Sequence, residues 1–92
     1  MADVNNRRRD AFYTVISAPS YKKQLDFQGY IRSISAHNSE GVFDVLPLHE
    51  NFVTMLSGKL VIVDEGGKGF ELQVDWALLE ASNNLVKVYV DF

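Results

Sequence analysis

The sequence predicts an all-β domain in which two antiparallel sheets of short strands pack face to face. From Ala11 onward, short apolar runs rich in β-branched and aromatic residues alternate with turn residues. Several runs, such as residues 70–75, alternate apolar and polar positions, which is typical of a sheet with one solvent-exposed face. No segment has the apolar spacing of an amphipathic helix of about three turns. Two packed sheets bury such strands best, and we expect about eight to ten of them.

The elements are assigned in chain order from the apolar runs and the residues that end them. Residues 1–10 are polar, which predicts a flexible N-terminal arm, and the domain is expected to span residues 11–92. The glycine-rich residues 65–69 predict a hairpin loop. The segment 50–56 has spacing that fits either a helix or a strand. The predicted strands are residues 12–16, 21–25, 30–36, 42–46, 60–63, 70–75, 76–81 and 85–90.

Composition limits the classes of function that this chain can serve. Its 92 residues suffice for one small domain, and the absence of cysteine excludes disulfides, thiolate metal sites and a cysteine nucleophile. Beyond residue 10 there are six basic and ten acidic side chains, so a large basic face for nucleic acid is not expected. No apolar run approaches the roughly 20 residues of a membrane span. Arg7, Arg8 and Arg9 could touch phosphates or acidic lipids, but a solvated arm is the favoured interpretation.

Residues that could carry chemistry are few. His37 and His49 lie twelve positions apart with carboxylates nearby, but no tight spacing of ligands supports a metal site, so turn histidines are favoured. The loop at residues 65–69 is not a phosphate-binding loop, because Lys68 is followed by Gly69 and a strand rather than by Ser or Thr and a helix. We therefore assign no catalytic, cofactor-binding or metal-binding residue.

Residues 39–49, which read Ser-Glu-Gly-Val-Phe-Asp-Val-Leu-Pro-Leu-His, form the most informative motif. This stretch resembles the Ser-Glu-Gly-x-φ-Gly/Asp-φ-φ-Pro-Gly-His signature, in which φ is an apolar residue, of the epsilon subunit of bacterial rotary ATP synthases, called delta in mitochondria. The flanking strands are similar to the family's strands in the same order. The resemblance extends from about residue 12 to residue 91, which is nearly the whole predicted domain.

The resemblance implies a flattened β-sandwich that catalyses nothing by itself and requires no cofactor. Its family couples the gamma shaft to the membrane c-ring in a proton-translocating synthase, at the cytoplasmic face of the bacterial inner membrane, and meets the membrane only through the c-ring. By position, the loop that faces the c-ring is expected to comprise Ser39, Glu40, Gly41 and Val42. The expected contact with gamma comprises His49, Phe52, Thr54 and Met55. The alternative hypotheses are a stand-alone interaction module outside a synthase and, resting only on the histidines, an enzyme.

The sequence departs from the family pattern at several places. Val42 stands where relatives often have Glu, and Leu48 replaces the usual glycine, which predicts a turn that avoids left-handed backbone. Trp76-Ala77 replaces a Gly-Gly pair, and a few extra residues lie between Ser17 and Gly29. The C-terminal helical hairpin of most relatives is not expected in this chain.

One further expectation concerns the stretch Phe52-Val53-Thr54-Met55-Leu56. If this stretch is a strand, alternate side chains point to opposite sides, so its apolar residues cannot all enter one core. We therefore expect part of this apolar surface to remain exposed for a partner.

Overall fold

Six β-strands and one short 3-10 helix make up the domain. The computed structural model describes residues 10–91; apart from Asp10, the predicted arm with Arg7, Arg8 and Arg9 lies outside the described residues. The elements are β1 (Phe12–Ser17), the 3-10 helix (Ser20–Leu25), β2 (Phe27–Asn38), β3 (Gly41–Val45), β4 (Phe52–Asp64), β5 (Gly69–Ser82) and β6 (Leu85–Val90). The predicted all-β class is confirmed, and residues 10–91 contain no α-helix. No helix in this range has the length and apolar character to cross a membrane.

The strands close on themselves to give a sandwich with two layers. Their order is β1-β6-β5-β4-β2-β3, and β1 also pairs with β2. All pairs are antiparallel except β1 with β6, which is parallel. β4 and β5 contribute to both layers: residues 52–56 and 77–82 lie with β1 and β6, whereas residues 60–64 and 69–74 lie with β2 and β3. We call these the first layer and the second layer.

The strand count of about eight to ten is corrected to six, because residues 21–25 form a helix and residues 70–81 belong to one long strand. The long strands are irregular rather than interrupted. The register of β4 against β5 shifts between Leu56 and Gly58, and Gly58 adopts a φ of 80°, which a glycine accommodates at little cost. A second shift lies in β2 between Ile31 and Ser33. The predicted strands 70–75 and 76–81 likewise belong to one strand, β5. Bulges therefore bend the chain from one layer to the other without ending the strand.

The segment 21–25, predicted as a strand, is a 3-10 helix. Local hydrogen bonds form instead of a ladder: Lys22 N donates to the carbonyl of Pro19 at 2.8 Å, and Asp26 N donates to that of Lys23 at 3.0 Å. The Asp26 carboxylate also accepts a hydrogen bond from Ala18 N at 2.8 Å. No residue of this helix is buried. The alternation of Tyr21, Lys23 and Leu25 predicts a strand, and this prediction is wrong because none of the three side chains belongs to the buried side of a sheet.

The core lies between the two layers and is formed by the inward side chains of every strand. Residues 50–56, ambiguous from the sequence, begin β4 as a strand, and the predicted hairpin between residues 60–63 and 70–75 is confirmed by the register Leu60 opposite Leu72. The largest fully buried side chains are Phe12, Ile16, Ile31, Ile34, Val45, Leu56, Leu60, Ile62, Leu79, Val86, Val88 and Val90. Burial of this set, at roughly 1.5–3 kcal/mol per large side chain, drives folding.

Candidate functional site

The first half of β4 presents apolar side chains to both of its sides. Val53 and Met55 point outward and are 61% and 46% exposed, whereas Leu56 points into the core and is 2% exposed. Phe52 is half-buried and packs against the core cluster. The expectation that this stretch leaves apolar surface exposed is therefore confirmed. The two outward residues are the part of the stretch that is accessible to a partner.

Neighbouring strands extend this exposed apolar surface across the first layer. Met55 lies opposite Leu78 of β5, which in turn lies opposite Tyr89 of β6, so the three side chains form one row on the same side of the sheet. Trp76 lies two positions before Leu78 on the same strand and is also exposed. We call the surface formed by Val53, Met55, Trp76, Leu78 and Tyr89 the apolar face. It spans three adjacent strands and is the kind of surface that commonly contacts another protein.

The outer surface of the second layer is mostly polar. Ser35 Oγ donates a 2.7 Å hydrogen bond to the carboxylate of Asp44 on the neighbouring strand. Lys59 Nζ lies 4.0 Å from a carboxylate oxygen of Glu71. Such exposed polar pairs keep a surface solvated and add little stability. The outer surface of the first layer differs in that it carries the row Met55, Leu78 and Tyr89, although the row beside it pairs Val53 with the exposed Glu80 and Lys87. The apolar face is therefore the part of the two outer surfaces that is suited to burial by a partner.

The predicted ring-facing residues form the tip of the hairpin between β2 and β3. Ser39, Glu40, Gly41 and Val42 are all exposed. Glu40 N donates a 2.9 Å hydrogen bond to Asn38 Oδ1, which closes the turn. Gly41 has a φ of 120°, a backbone conformation that favours glycine, and a Cβ there would meet no atom within 4 Å. The tip is therefore ordered by its backbone and leaves its side chains accessible.

The predicted gamma contact does not form a single surface. Of its four residues, Met55 belongs to the apolar face, while Phe52 and Thr54 alternate with it and point inward. Phe52 meets Phe43 of β3 edge to face, with ring centroids 6.2 Å apart, and Thr54 Oγ1 accepts a 3.1 Å hydrogen bond from Asn38 Nδ2. These two side chains therefore hold the β2–β3 hairpin against β4.

His49, the fourth predicted contact, is half-buried at the entrance to β4. Its ring lies edge-on to Phe12, with centroids 5.4 Å apart, and its Nδ1 lies 3.2 Å from the carbonyl oxygen of Glu50. The assignment of His49, Phe52, Thr54 and Met55 to a partner contact stays a prediction. Within residues 10–91, no three His, Asp or Glu side chains are grouped closely enough to hold a metal ion.

Asn84 is a structural residue that the sequence analysis missed. It is 5% exposed, and its side chain accepts a 2.7 Å hydrogen bond from Leu48 N and donates one of 2.8 Å to the carbonyl of Ala11. Its own carbonyl accepts a 3.2 Å hydrogen bond from Tyr13 N. One buried amide thereby connects the start of β1, the β3–β4 loop and the β5–β6 turn. The Asn83-Asn84 pair was a usable signal, because asparagine tolerates the left-handed backbone seen here at φ values of 50° and 59°.

The expectation that Leu48 avoids left-handed backbone is wrong, since its φ is 62°. The reason is the hydrogen bond from its backbone N–H to Asn84, a partner 36 positions away that local sequence rules do not reveal. The penalty for a branched residue in this conformation is overcome by a tertiary contact.

A second unforeseen contact ties the 3-10 helix to the end of β6. Lys22 Nζ donates a hydrogen bond to Asp91, whose other carboxylate oxygen accepts a 3.2 Å hydrogen bond from Trp76 N. The bond from Lys22 is the main cause of a lowered pKa of Asp91, and the same bond raises the pKa of Lys22. Because 69 positions separate the two residues, no local pattern predicts this pair. The contact fixes the strand ends beside Trp76.

Comparison with known proteins gives a consistent assignment. Residues 22–92 match the family model described as the ATP synthase delta/epsilon chain β-sandwich domain. The chain is also 35% identical over 71 residues to an ATP synthase epsilon chain of Geobacter metallireducens, a match that covers 77% of this chain and 50% of that relative. The chain thus spans about half the length of this relative. It belongs to the delta/epsilon family of ATP synthase subunits, whose β-sandwich domain it contains.

Solved structures agree with this assignment at the level of the fold. A chain in the Euglena gracilis mitochondrial ATP synthase, in a structure of OSCP, F1 and c-ring, matches 98% of this chain and 56% of its own length, with a TM-score of 0.79 and 19% identity. A chain in the central stalk and c-ring structure from Tetrahymena thermophila mitochondria matches 92% of this chain and 65% of its own length, with a TM-score of 0.70 and 14% identity.

Proposed function

We propose that this chain is a non-catalytic central-stalk subunit of a proton-translocating rotary ATP synthase, and that it couples the gamma shaft to the c-ring at the cytoplasmic face of a bacterial inner membrane. The observation that carries the proposal is the apolar face of the first layer, which stands opposite a polar outer surface. A domain that binds a partner through one outer surface and keeps the other in solvent needs two surfaces of different polarity.

The apolar face is assigned to the gamma shaft. Its row Met55, Leu78 and Tyr89 runs across three hydrogen-bonded strands, so it is a rigid surface that loses little conformational entropy on binding. Phe52 and Thr54 act behind this face by fixing β4 against the β2–β3 hairpin. In this proposal they position the contact, while Met55 and its outward neighbours make it.

The hairpin tip Ser39–Val42 is assigned to the c-ring. Its four residues are exposed, and they project from an ordered turn at the end of two strands. Since Phe52 and Thr54 join this hairpin to β4, the surface for the ring and the surface for the shaft belong to one rigid unit. A rigid connection between the two contacts is the physical requirement for transmitting torque.

Two aspartate substitutions at the apolar face test the assignment to gamma. The double variant Val53→Asp/Met55→Asp places two charges where the proposal puts a desolvated contact, so its affinity for the gamma subunit should fall by about 100-fold or more. Both side chains are exposed, but Val53 lies opposite Glu80, so the aspartates should lower the melting temperature by several degrees while leaving the domain folded at the temperature of the titration. A titration of labelled protein with purified gamma measures the affinity.

The control is Val42→Asp, compared with the single variant Met55→Asp, because each of them introduces one charge at an exposed aliphatic residue. Because Val42 lies on the hairpin tip, this variant should bind gamma like the unaltered protein. Equal affinity of the unaltered protein and the double variant would refute the assignment of the apolar face to gamma.

A further inference from the structure

Leu48 combines two features that are each unfavourable for an isolated domain. Its backbone is left-handed, with a φ of 62°, a conformation in which a leucine Cβ crowds its own backbone. Its side chain is also 53% exposed, so burial in the core does not compensate for the strain. Glycine would remove the strain at this position without leaving a cavity.

The conformation of Leu48 is held by specific contacts on both of its sides. Its N–H donates the 2.7 Å hydrogen bond to the buried Asn84, and the next residue, His49, packs its ring on Phe12. Further along the loop, Asn51 Oδ1 accepts a 3.3 Å hydrogen bond from Asn83 N. The β3–β4 loop is thus attached twice to the β5–β6 turn. A strained residue that its surroundings fix this firmly is a reason to look for function.

The loop adjoins the apolar face. It leads into β4, where Val53 and Met55 follow within a few residues, and the turn to which it is attached joins the two strands that carry Leu78 and Tyr89. Leu48 therefore lies at the end of the strands that form the apolar face. Because Leu48 lies beside the apolar face, the partner that covers that face would also cover the Leu48 side chain.

We propose that Leu48 is an apolar anchor for the gamma shaft. This inference rests on the proposed function, because it extends the same contact beyond β4. The Leu48 side chain is 53% exposed, and the hydrogen bond from its N–H to Asn84 holds its backbone in place before gamma binds. A contact that is preorganised in this way costs less entropy on binding.

Two substitutions at Leu48 separate the anchor from the strain. Leu48→Gly removes both the side chain and the backbone strain. The loss of strain should raise the melting temperature by about 4 °C, and the loss of the side chain should lower the affinity for gamma by about tenfold or more. Leu48→Ala removes the side chain but keeps the strain, so the affinity should fall equally without the gain in melting temperature. If Leu48 had only a structural role, Leu48→Gly would make the protein more stable and leave its affinity for gamma unchanged. Tyr21→Ala, which truncates another exposed large side chain outside both assigned contacts, should leave gamma binding unchanged.

The outcomes distinguish this inference from the proposal on which it rests. If both Leu48 variants bind gamma like the unaltered protein while Val53→Asp/Met55→Asp does not, the anchor is refuted and the proposed function stands. If the Leu48 variants weaken binding to the c-ring and not to gamma, the anchor for the shaft is likewise refuted. If the unaltered protein does not bind gamma, both fail.

Discussion

Replacement of Asn84 by alanine is expected to lower the free energy of unfolding by about 3 kcal/mol, a loss that corresponds to a fall in melting temperature of more than about 10 °C. The amide connects three segments, and its removal leaves Leu48 N and the carbonyl of Ala11 without these partners. Each buried polar group that is left unpaired costs about 1–3 kcal/mol. In a domain this small, such a loss is a large share of the total stability.

Asn83→Ala is the matched control, because Asn83 is the neighbouring turn residue and has a similar φ of 50°. Both variants place alanine in left-handed backbone, so the strain cancels in their difference. Asn83 is exposed, and the difference in unfolding free energy between the two variants therefore reports the buried hydrogen bonds of Asn84. Chemical denaturation measures both. Equal stabilities would show that the strain, rather than the side-chain hydrogen bonds, determines the effect.

Leu56→Ala should cost about 3 kcal/mol of stability, whereas Met55→Ala, one position earlier, should cost well under about 1 kcal/mol. Leu56 is fully enclosed between the layers, so its truncation leaves a cavity, and Met55 is half exposed on the apolar face. Binding should show the opposite order: Met55→Ala weakens the affinity for gamma, and folded Leu56→Ala retains it.

The comparison requires conditions under which Leu56→Ala is folded, and circular dichroism at low temperature defines them. A binding titration at that temperature then compares the two variants directly. If Met55→Ala melts as early as Leu56→Ala, the outward direction of Met55 is wrong and the apolar face is incorrectly defined. If it is stable but binds gamma with unchanged affinity, Met55 is not part of the contact.

The sequence predicted those elements whose evidence is local. The hairpin of β4 and β5 was correctly assigned because its apolar residues alternate on either side of a glycine-rich loop, and the register confirms the pairing. The apolar face was foreseen only in part. Alternation along residues 52–56 showed that some side chains must point outward, but Leu78 and Tyr89 join Val53 and Met55 only through the order of the strands.

The contacts that the sequence analysis missed are between residues far apart in the chain. Lys22 and Asp91, like Leu48 and Asn84, meet only in the folded domain, and each pair overrides a local preference. The strand prediction for residues 21–25 relied on alternation alone, and the chain forms a 3-10 helix whose lysine holds the end of β6. The strand count was too high because residues 21–25 were counted as a strand and because residues 70–75 and 76–81, counted separately, belong to the single strand β5.

Co-elution with a purified complex of gamma and c-ring tests the central claim most directly. The unaltered protein, mixed in excess with that complex and separated by size-exclusion chromatography, should elute with it in a fixed ratio, because the apolar face and the hairpin tip would each be covered. Val53→Asp/Met55→Asp should elute separately, which shows that the association depends on the apolar face. Separate elution of the unaltered protein from the complex would contradict the account.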